Sequence, residues 1–124
     1  MIKTIIVDTN AWMSMIEFKM DLFTALDQIC DFSYKVAVLE GTLQELKKIQ
    51  ENQKGKEKLA AKLVLDIIKK KNIETIPSIG FVDDVLVELS KDGYLILTQD
   101  IELRKRLAKP YLVIRQKKYV MMVK

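Results

Sequence analysis

Short runs of apolar residues alternate with longer amphipathic stretches along the whole chain. The runs KTIIVD, YKVAVL, IETI, YLILT and YLVIR are predicted strands, because a short unbroken apolar run is typical of a strand buried on both faces of a parallel sheet. The stretches between them repeat apolar residues at helical spacing. The tail KKYVMMVK is predicted to be either a final edge strand or an extension that packs on a partner.

The helical stretches have start and stop signals of their own. One or two helices follow the first strand and reach about Cys30, and Thr42 is the expected N-cap of GTLQELKKIQEN. Gly93 closes the helix VDDVLVELSK, and Asp100 is the expected cap of DIELRKRLAK. The clearest helix is KGKEKLAAKLVLDIIKKK, whose predicted buried stripe consists of Leu59, Leu63, Val64, Ile67 and Ile68.

Alternation of strands and helices predicts the class of fold. We expect an α/β protein, a three-layer α/β/α sandwich around a mainly parallel sheet of about five strands. The chain has 124 residues, of which 49% are hydrophobic, so residues 1–124 are expected to form one domain with a single core.

Composition excludes several kinds of chemistry. Histidine is absent, which removes the commonest general base, Ser-His and Cys-His couples and imidazole metal ligands. The four glycines are scattered and form neither a dinucleotide fingerprint nor a P-loop. The one cysteine, Cys30, lies at helical spacing from Leu22 and Leu26 and is expected to be a core residue. Any catalysis must therefore use carboxylates, amines or hydroxyls.

Charge and hydropathy indicate which partners and which cellular compartment to expect. There are 21 lysines and arginines against 17 acidic residues, so the net charge of +4 permits a polyanionic partner such as nucleic acid. No apolar stretch approaches the ~20 residues needed to span a bilayer, and no signal peptide is recognisable. We expect a cytoplasmic protein with no membrane association.

Acidic residues occur where strands end and helices begin. Asp8 follows the first strand and Asp100 comes two residues after the strand YLILT. If these strands are neighbours, both carboxylates lie at the edge of the sheet where open parallel sheets bind ligands. Glu45, Asp83 and Asp84 stand in first helical turns and could face the same cleft.

Each of these acids also has a purely structural interpretation. Thr42-Leu43-Gln44-Glu45 fits a capping box, Asp83 and Asp84 suit the positive end of a helix dipole, and Asp100 suits an N-cap. The signal for chemistry comes from the set as a whole. Clustered carboxylates repel one another unless a cation neutralises them, and oxygen ligands without histidine or cysteine favour Mg²⁺ or Mn²⁺. Such ions promote phosphodiester hydrolysis.

The chain resembles the PIN-domain ribonucleases over nearly its whole length. The resemblance rests on a strand followed by Asp8-Thr9-Asn10, on Glu45 within TLQEL, on Asp84 within VDDVL and on Thr98-Gln99-Asp100. The stretches EFKMDLF, VDDVLVELS, TQDIELRKRL and IRQKKY look most like small archaeal single-domain members related to ribosomal RNA processing and toxin-like PIN proteins. The resemblance implies a Mg²⁺- or Mn²⁺-dependent endoribonuclease with an acidic cleft.

The resemblance also implies roles for particular residues. Asp8, Glu45, Asp84 and Asp100 match the acidic quartet that binds the metal and performs catalysis. Asp84 is preferred to its neighbour because of its position before Val-Leu-Val. Accessory candidates are Asn10, Asp83, Thr98 and Glu102.

RNA would need positive charge around a negative cleft. Each basic candidate could equally be solvated surface charge, and Tyr111 and Tyr119 could stack bases or pack in the sheet. The candidates are Lys47, Lys48, Arg104, Lys105, Arg106, Arg115, Lys117 and Lys118.

Two other classes of protein share features with this sequence. A phosphoacceptor receiver domain has similar length and an aspartate after its first strand, but Asp8 has no acidic neighbour and Lys109-Pro110 precedes the last strand. A non-catalytic RNA-binding or assembly factor could keep the same acids. A nuclease of this kind is compatible with self-association as a homodimer, with binding of an antitoxin and with binding of a pre-ribosomal particle.

Overall fold

The computed structural model describes residues 2–124, which form a six-stranded sheet. The strand order is β3-β2-β1-β4-β5-β6. Five strands are parallel, and β6 pairs antiparallel with β5 at one edge. The strands are β1 (Lys3–Val7), β2 (Tyr34–Leu39), β3 (Glu74–Ile76), β4 (Leu95–Leu97), β5 (Tyr111–Arg115) and β6 (Tyr119–Val123). The predicted mainly parallel sheet is confirmed, and the tail is its edge strand.

Six helices connect the strands of this sheet. The region after β1 is two helices, as one of the sequence alternatives had it. No helix among residues 2–124 is long and apolar enough to cross a bilayer. The helices are α1 (Thr9–Glu17), α2 (Leu22–Ile29), α3 (Glu40–Asn52), α4 (Lys56–Lys70), α5 (Val82–Lys91) and α6 (Ile101–Arg106).

Alternate residues of the central strand β1 face two separate apolar layers. Ile5 and Val7 belong to a core that includes buried residues of α1 to α4, among them the fully buried Trp12. Ile6 points to the opposite core, formed with α5 and α6. Because β1 is buried on both faces it needs an unbroken apolar run, and the three-layer α/β/α architecture is confirmed.

The order of the strands reverses at β1. The chain passes from β1 through β2 to β3 on one side and then crosses to β4 on the other side. Strands β1 and β4 are therefore neighbours, and the Asp8 N–H donates to the Leu97 carbonyl at 2.9 Å just beyond β1. This is the type of edge at which open α/β sheets bind ligands.

The expected cap at Thr42 is wrong. Helix α3 begins at Glu40, directly after β2, so Thr42 lies inside its first turn. The Thr42 side chain is fully buried, and its hydroxyl has no hydrogen-bond partner among residues 2–124. The Gly41 N–H instead donates to the Ser78 hydroxyl at 2.9 Å. A residue distant in sequence thus satisfies a free amide of the first turn, which a local capping pattern cannot reveal.

The predicted stripe of α4 is only partly buried. Val64 and Ile68 are buried as expected, whereas Leu59 and Leu63 are exposed. The helix buries Ala60 and Ala61 in their place, and it packs against α1 and α3. The core-facing side of α4 is therefore rotated toward its small residues.

Candidate active site

Asp8 stands at the centre of the acidic edge, between β1 and α1. It caps α1, since Oδ1 accepts from the Thr9 N–H at 2.8 Å. Its Oδ2 accepts from the Thr98 hydroxyl at 2.9 Å and from Asn10 Nδ2 at 3.2 Å. The residue is only 4% exposed. The last three residues of the strand that positions Asp8, Ile5 to Val7, are fully buried in the middle of the sheet, so its backbone is held firmly.

A chain of polar contacts ties the ends of three strands together beside Asp8. Asn10 Oδ1 accepts from the Gln99 N–H at 2.9 Å, and Gln99 Oε1 accepts from the Ile114 N–H of β5 at 2.8 Å. The Asp100 N–H donates to the Thr98 hydroxyl oxygen at 3.1 Å. Asn10 and Thr98, both predicted accessories, lie in this network, and Gln99 was not singled out from the sequence.

Glu45 approaches from α3. Its Oε1 accepts from the Thr9 hydroxyl at 2.6 Å, so the side chain is turned toward the start of α1 rather than back toward Thr42. The capping-box interpretation of Glu45 is therefore wrong, and its carboxylate lies at the cleft.

Asp100 caps a helix and also faces the cleft. Its Oδ1 caps α6 by accepting from the Glu102 N–H at 2.9 Å and the Leu103 N–H at 3.2 Å. The expected N-cap is confirmed, and Asp100 also lines the cavity beside Asp8.

A cavity of about 550 Å³, here called the acid cavity, lies at this edge of the sheet. It brings together three carboxylates from three helices and two from the segments that follow β1 and β4, far apart in sequence. Five of its ten lining residues are acidic, and none is basic. The acids are Asp8, Glu17, Glu45, Asp83 and Asp100, and the other lining residues are Thr9, Asn10, Met13, Ser14 and Ile49.

The two adjacent aspartates of α5 point in different directions. Asp83 lines the acid cavity, whereas Asp84, the expected quartet member, does not. The Asp84 carboxylate instead accepts from Arg106 Nη2 at 2.6 Å in an adjoining space. Consecutive helical residues are rotated by about 100° from each other, so one of the two faces Asp8 and the other faces α6. The assignment of the inward position to Asp84 is corrected to Asp83.

Two other acids also differ from expectation. Glu17, which the sequence did not single out, lines the acid cavity from the last turn of α1. It stands eight residues after Thr9 and four after Met13, on one face of the helix, and that spacing could have identified it. Glu102 lies outside the cavity, is exposed and pairs with Lys105 at 3.3 Å.

The basic candidates are spread around the site rather than within it. Lys47, Lys48, Arg115 and Lys118 are exposed, and Arg104 is half-buried. Lys117 Nζ lies 5.5 Å from the centre of the Phe18 ring, Lys105 pairs with Glu102, and Arg106 pairs with Asp84. Tyr111 packs against the core of α5 and α6, and Tyr119 is partly exposed on the edge strand.

Burial governs the electrostatics of the acid cavity. Desolvation raises the pKa of Asp8 from 3.8 to about 6, the hydrogen bonds from Thr98 and Thr9 oppose the rise, and the charges of Asp83 and Glu45 add to it. Burial also raises the pKa of Asp83, followed by the charge of Asp100, while Arg106 acts in the opposite direction. The cavity thus holds negative charge at a cost that a bound cation would relieve.

The donor set of the cavity fits a hydrated hard cation. No three acids among residues 2–124 converge closely enough to form a complete ligand set. Mg²⁺ usually keeps several waters and binds one or two carboxylates together with substrate phosphates. A carboxylate offers about four acceptor positions, and three hydrogen bonds reach Asp8. Asp8 therefore retains room for one metal bond beside its anchors.

These features define an α/β domain with a carboxylate-lined cavity where the strand order reverses. Residues 5–117 match the family described as PIN like domain, and the chain therefore belongs to that family. It is 28% identical over 107 residues to Ribonuclease VapC9 of Archaeoglobus fulgidus, covering 85% of this chain and 76% of that protein. Its fold matches the structure of the PIN domain endonuclease Utp24 with a TM-score of 0.76 and 22% identity, covering 96% of this chain and 90% of that one.

The raised pKa of Asp8 predicts that the difference in stability between Asp8→Asn and the wild type depends on pH. Below the unfolded value of 3.8 the carboxyl is neutral in both states. Between 3.8 and about 6 the unfolded chain releases this proton while the buried carboxyl keeps it, so the folded protein loses stability as the pH rises across this window. The gap of two units corresponds to about 3 kcal/mol. The free energy of unfolding of Asp8→Asn minus that of the wild type should therefore rise by about that amount between pH 4 and 7.5.

Urea unfolding with a chelator present measures this difference at each pH. The exposed Asp66→Asn on α4 is the matched control, and its difference from the wild type should stay constant. A pH-independent difference for Asp8→Asn would show that Asp8 is not held as a costly buried charge.

Proposed function

We propose that this protein is a metal-dependent endoribonuclease that hydrolyses RNA phosphodiester bonds at the acid cavity. The observation that carries the proposal is Asp8, a buried carboxylate with a raised pKa, placed at the reversal of strand order among four other acids. The capping of α1 does not by itself explain the burial of Asp8, because burying a charge without a cationic partner destabilises a fold.

The relatives favour RNA as the substrate class. Ribonuclease VapC9 is named for cleavage of RNA, and Utp24 is described as an endonuclease. The chain spans 76% of the former and 90% of the latter. The absence of histidine is compatible with this chemistry, since a nuclease that uses oxygen ligands needs no imidazole.

The acids of the cavity would hold Mg²⁺ or Mn²⁺ close to Asp8. When bound, such an ion polarises a phosphoryl oxygen and lowers the pKa of a bound water. Asp8, with its remaining acceptor position, is the proposed anchor of the ion. Asp83, Asp100 and Glu45 are proposed to bind the waters around the ion or to complete its ligands.

The polar network beside Asp8 sets the orientation of its carboxylate. Thr98 and Asn10 both donate to Oδ2, and the Thr9 N–H holds Oδ1. Since the ends of β1, β4 and β5 are joined through Asn10 and Gln99, the carboxylate plane cannot turn without disturbing the sheet. We assign Thr98, Asn10 and Gln99 a positioning role rather than contact with the substrate.

Exposed lysines and arginines would attract the phosphates of RNA to the rim. Lys47 and Lys48 project from α3, the helix that carries Glu45. Arg115 ends β5 at the same edge of the sheet, and Lys118 lies in the turn after it. Affinity contributed by such contacts falls steeply as the salt concentration rises. A role in ribosomal RNA processing and a toxin-type role with an antitoxin are both proposals, distinguished by the RNA that is cut.

Cleavage should depend on a divalent ion and on Asp8. Purified protein is expected to cut single-stranded RNA internally with Mn²⁺ or Mg²⁺ and to stop when a chelator is added. Asp8→Asn should lower the rate by at least ~100-fold, the scale on which loss of one charge-stabilising group acts. The measurement is single-turnover cleavage of an end-labelled oligoribonucleotide.

The exposed Asp66→Asn is the control for this experiment, and it should cut at the wild-type rate. Equal cleavage by Asp8→Asn and Asp66→Asn would contradict the proposal. If the wild type binds RNA tightly but never cuts it, the alternative of a non-catalytic RNA-binding or assembly factor replaces the nuclease.

Substitution of the two aspartates of α5 should lower the rate of cleavage to different extents. Asp83→Asn removes a carboxylate that lines the acid cavity, and it should lower the single-turnover rate by roughly 100-fold, on the same scale. Asp84→Asn breaks an exposed pair with Arg106 and should lower the rate by less than about 10-fold, since exposed pairs contribute little. The reverse order of the two variants would return the inward role to Asp84.

A further inference from the structure

A second, smaller cavity of about 340 Å³ adjoins the acid cavity, and we call it the side cavity. Glu45 and Asp83 line both cavities, so the two spaces share a wall. The remaining lining residues of the side cavity are Phe81, Val82, Asp84 and Arg106. Anything bound there would lie next to the proposed site of cleavage.

The side cavity contains one large aromatic ring that the fold leaves exposed. Phe81 is 81% exposed and lies outside both apolar cores. An exposed phenylalanine at a cavity is an unused flat apolar surface, and burying it against a ligand is favourable. Phe81 is therefore available for stacking.

The backbone that carries Phe81 is anchored on both sides. The Ser78 hydroxyl accepts from the Gly41 N–H at 2.9 Å, and a Cβ at Gly41 would lie only 2.7 Å from Val82 Cγ2. The Phe81 carbonyl accepts from the Val85 N–H at 3.1 Å as α5 begins. The close packing at Gly41 holds the Phe81 backbone in place before any ligand binds, which reduces the entropy lost on binding.

The charges of the side cavity favour a nucleobase over a phosphate. Three carboxylates line it, and its one guanidinium, that of Arg106, is already paired with Asp84 at 2.6 Å. The carboxylates of Glu45, Asp83 and Asp84 repel a phosphate, but they can accept hydrogen bonds from the amino and imino groups of bases.

We propose that the side cavity is a nucleobase subsite in which one unpaired base of the RNA stacks on Phe81. The subsite rests on the proposed function, because it places a neighbouring phosphodiester at the acid cavity. Stacking on one aromatic ring tolerates any base, so the subsite selects single-stranded RNA over duplex rather than one sequence. Phe81 is thus a substrate-positioning residue.

Binding of RNA to variants that cannot cut it tests this subsite separately from cleavage. In an Asp8→Asn background, Phe81→Ala should weaken binding of a short single-stranded oligoribonucleotide by roughly 5- to 100-fold, the range expected for loss of one stacked base. The loss should be similar at low and high salt, because stacking releases few counterions. Fluorescence anisotropy measures the affinity.

Ile79→Ala is the matched control. Ile79 lies two residues away in the same loop, is 95% exposed and lines neither cavity, so its removal should leave RNA affinity unchanged. Phe81→Trp should keep the affinity and its fluorescence should fall when RNA binds. The native Trp12 is fully buried and would not report this contact.

Three outcomes separate the hypotheses. If Phe81→Ala and Ile79→Ala bind RNA equally well while the wild type still cuts it, the subsite is wrong and the proposed function stands. If Phe81→Ala instead changes the oligomeric state at unchanged RNA affinity, Phe81 belongs to a protein interface and the subsite is also wrong. If the wild type neither binds nor cuts RNA with Mn²⁺ or Mg²⁺ present, the proposed function fails and the subsite fails with it.

Discussion

The structure depends most on one constraint, the placement of an ionisable carboxylate at the buried end of a strand in the middle of the sheet. Asp8 follows a strand that is packed on both faces, and it lies at the reversal of strand order, where the chain leaves the sheet for α1. Thr98, Asn10 and the Thr9 amide bind this carboxylate without supplying a positive charge. The fold thus maintains a charge that destabilises it, as binding and catalytic sites often do.

The rest of the acidic edge is arranged around this carboxylate by elements that are distant in sequence. Glu45 comes from α3, Asp83 from α5 and Asp100 from the start of α6, and each is oriented by a contact or by the direction of its helix. The Gly41 and Ser78 contact joins α3 to the loop before α5. Glu45 and Asp83 line the wall that the two cavities share, and Phe81 lies in the side cavity beyond it.

The sequence predicted those features that depend on backbone periodicity and missed those that depend on helix rotation and long-range contacts. Unbroken apolar runs identified the five parallel strands, whereas the tail that forms β6 was left open between an edge strand and an extension. The positions of Asp8 and Asp100 followed from the shared edge of neighbouring parallel strands. The choice between Asp83 and Asp84 depends on a rotation of about 100° about the axis of α5, which adjacent residues cannot disclose. The cap from Ser78 crosses 37 positions of the chain and has no local signal.

We propose that Asp8 is a buried carboxylate prepared to bind a cation, and proton release on Mn²⁺ binding tests this proposal most directly. With a pKa of about 6, Asp8 is about half protonated at pH 6, so binding should release about half a proton there and almost none at pH 7.5. Titration calorimetry in two buffers of different ionisation enthalpy measures this number. Asp8→Asn should abolish the release. Mn²⁺ binding with equal heats in both buffers at pH 6, or with the same release from Asp8→Asn, would contradict the account.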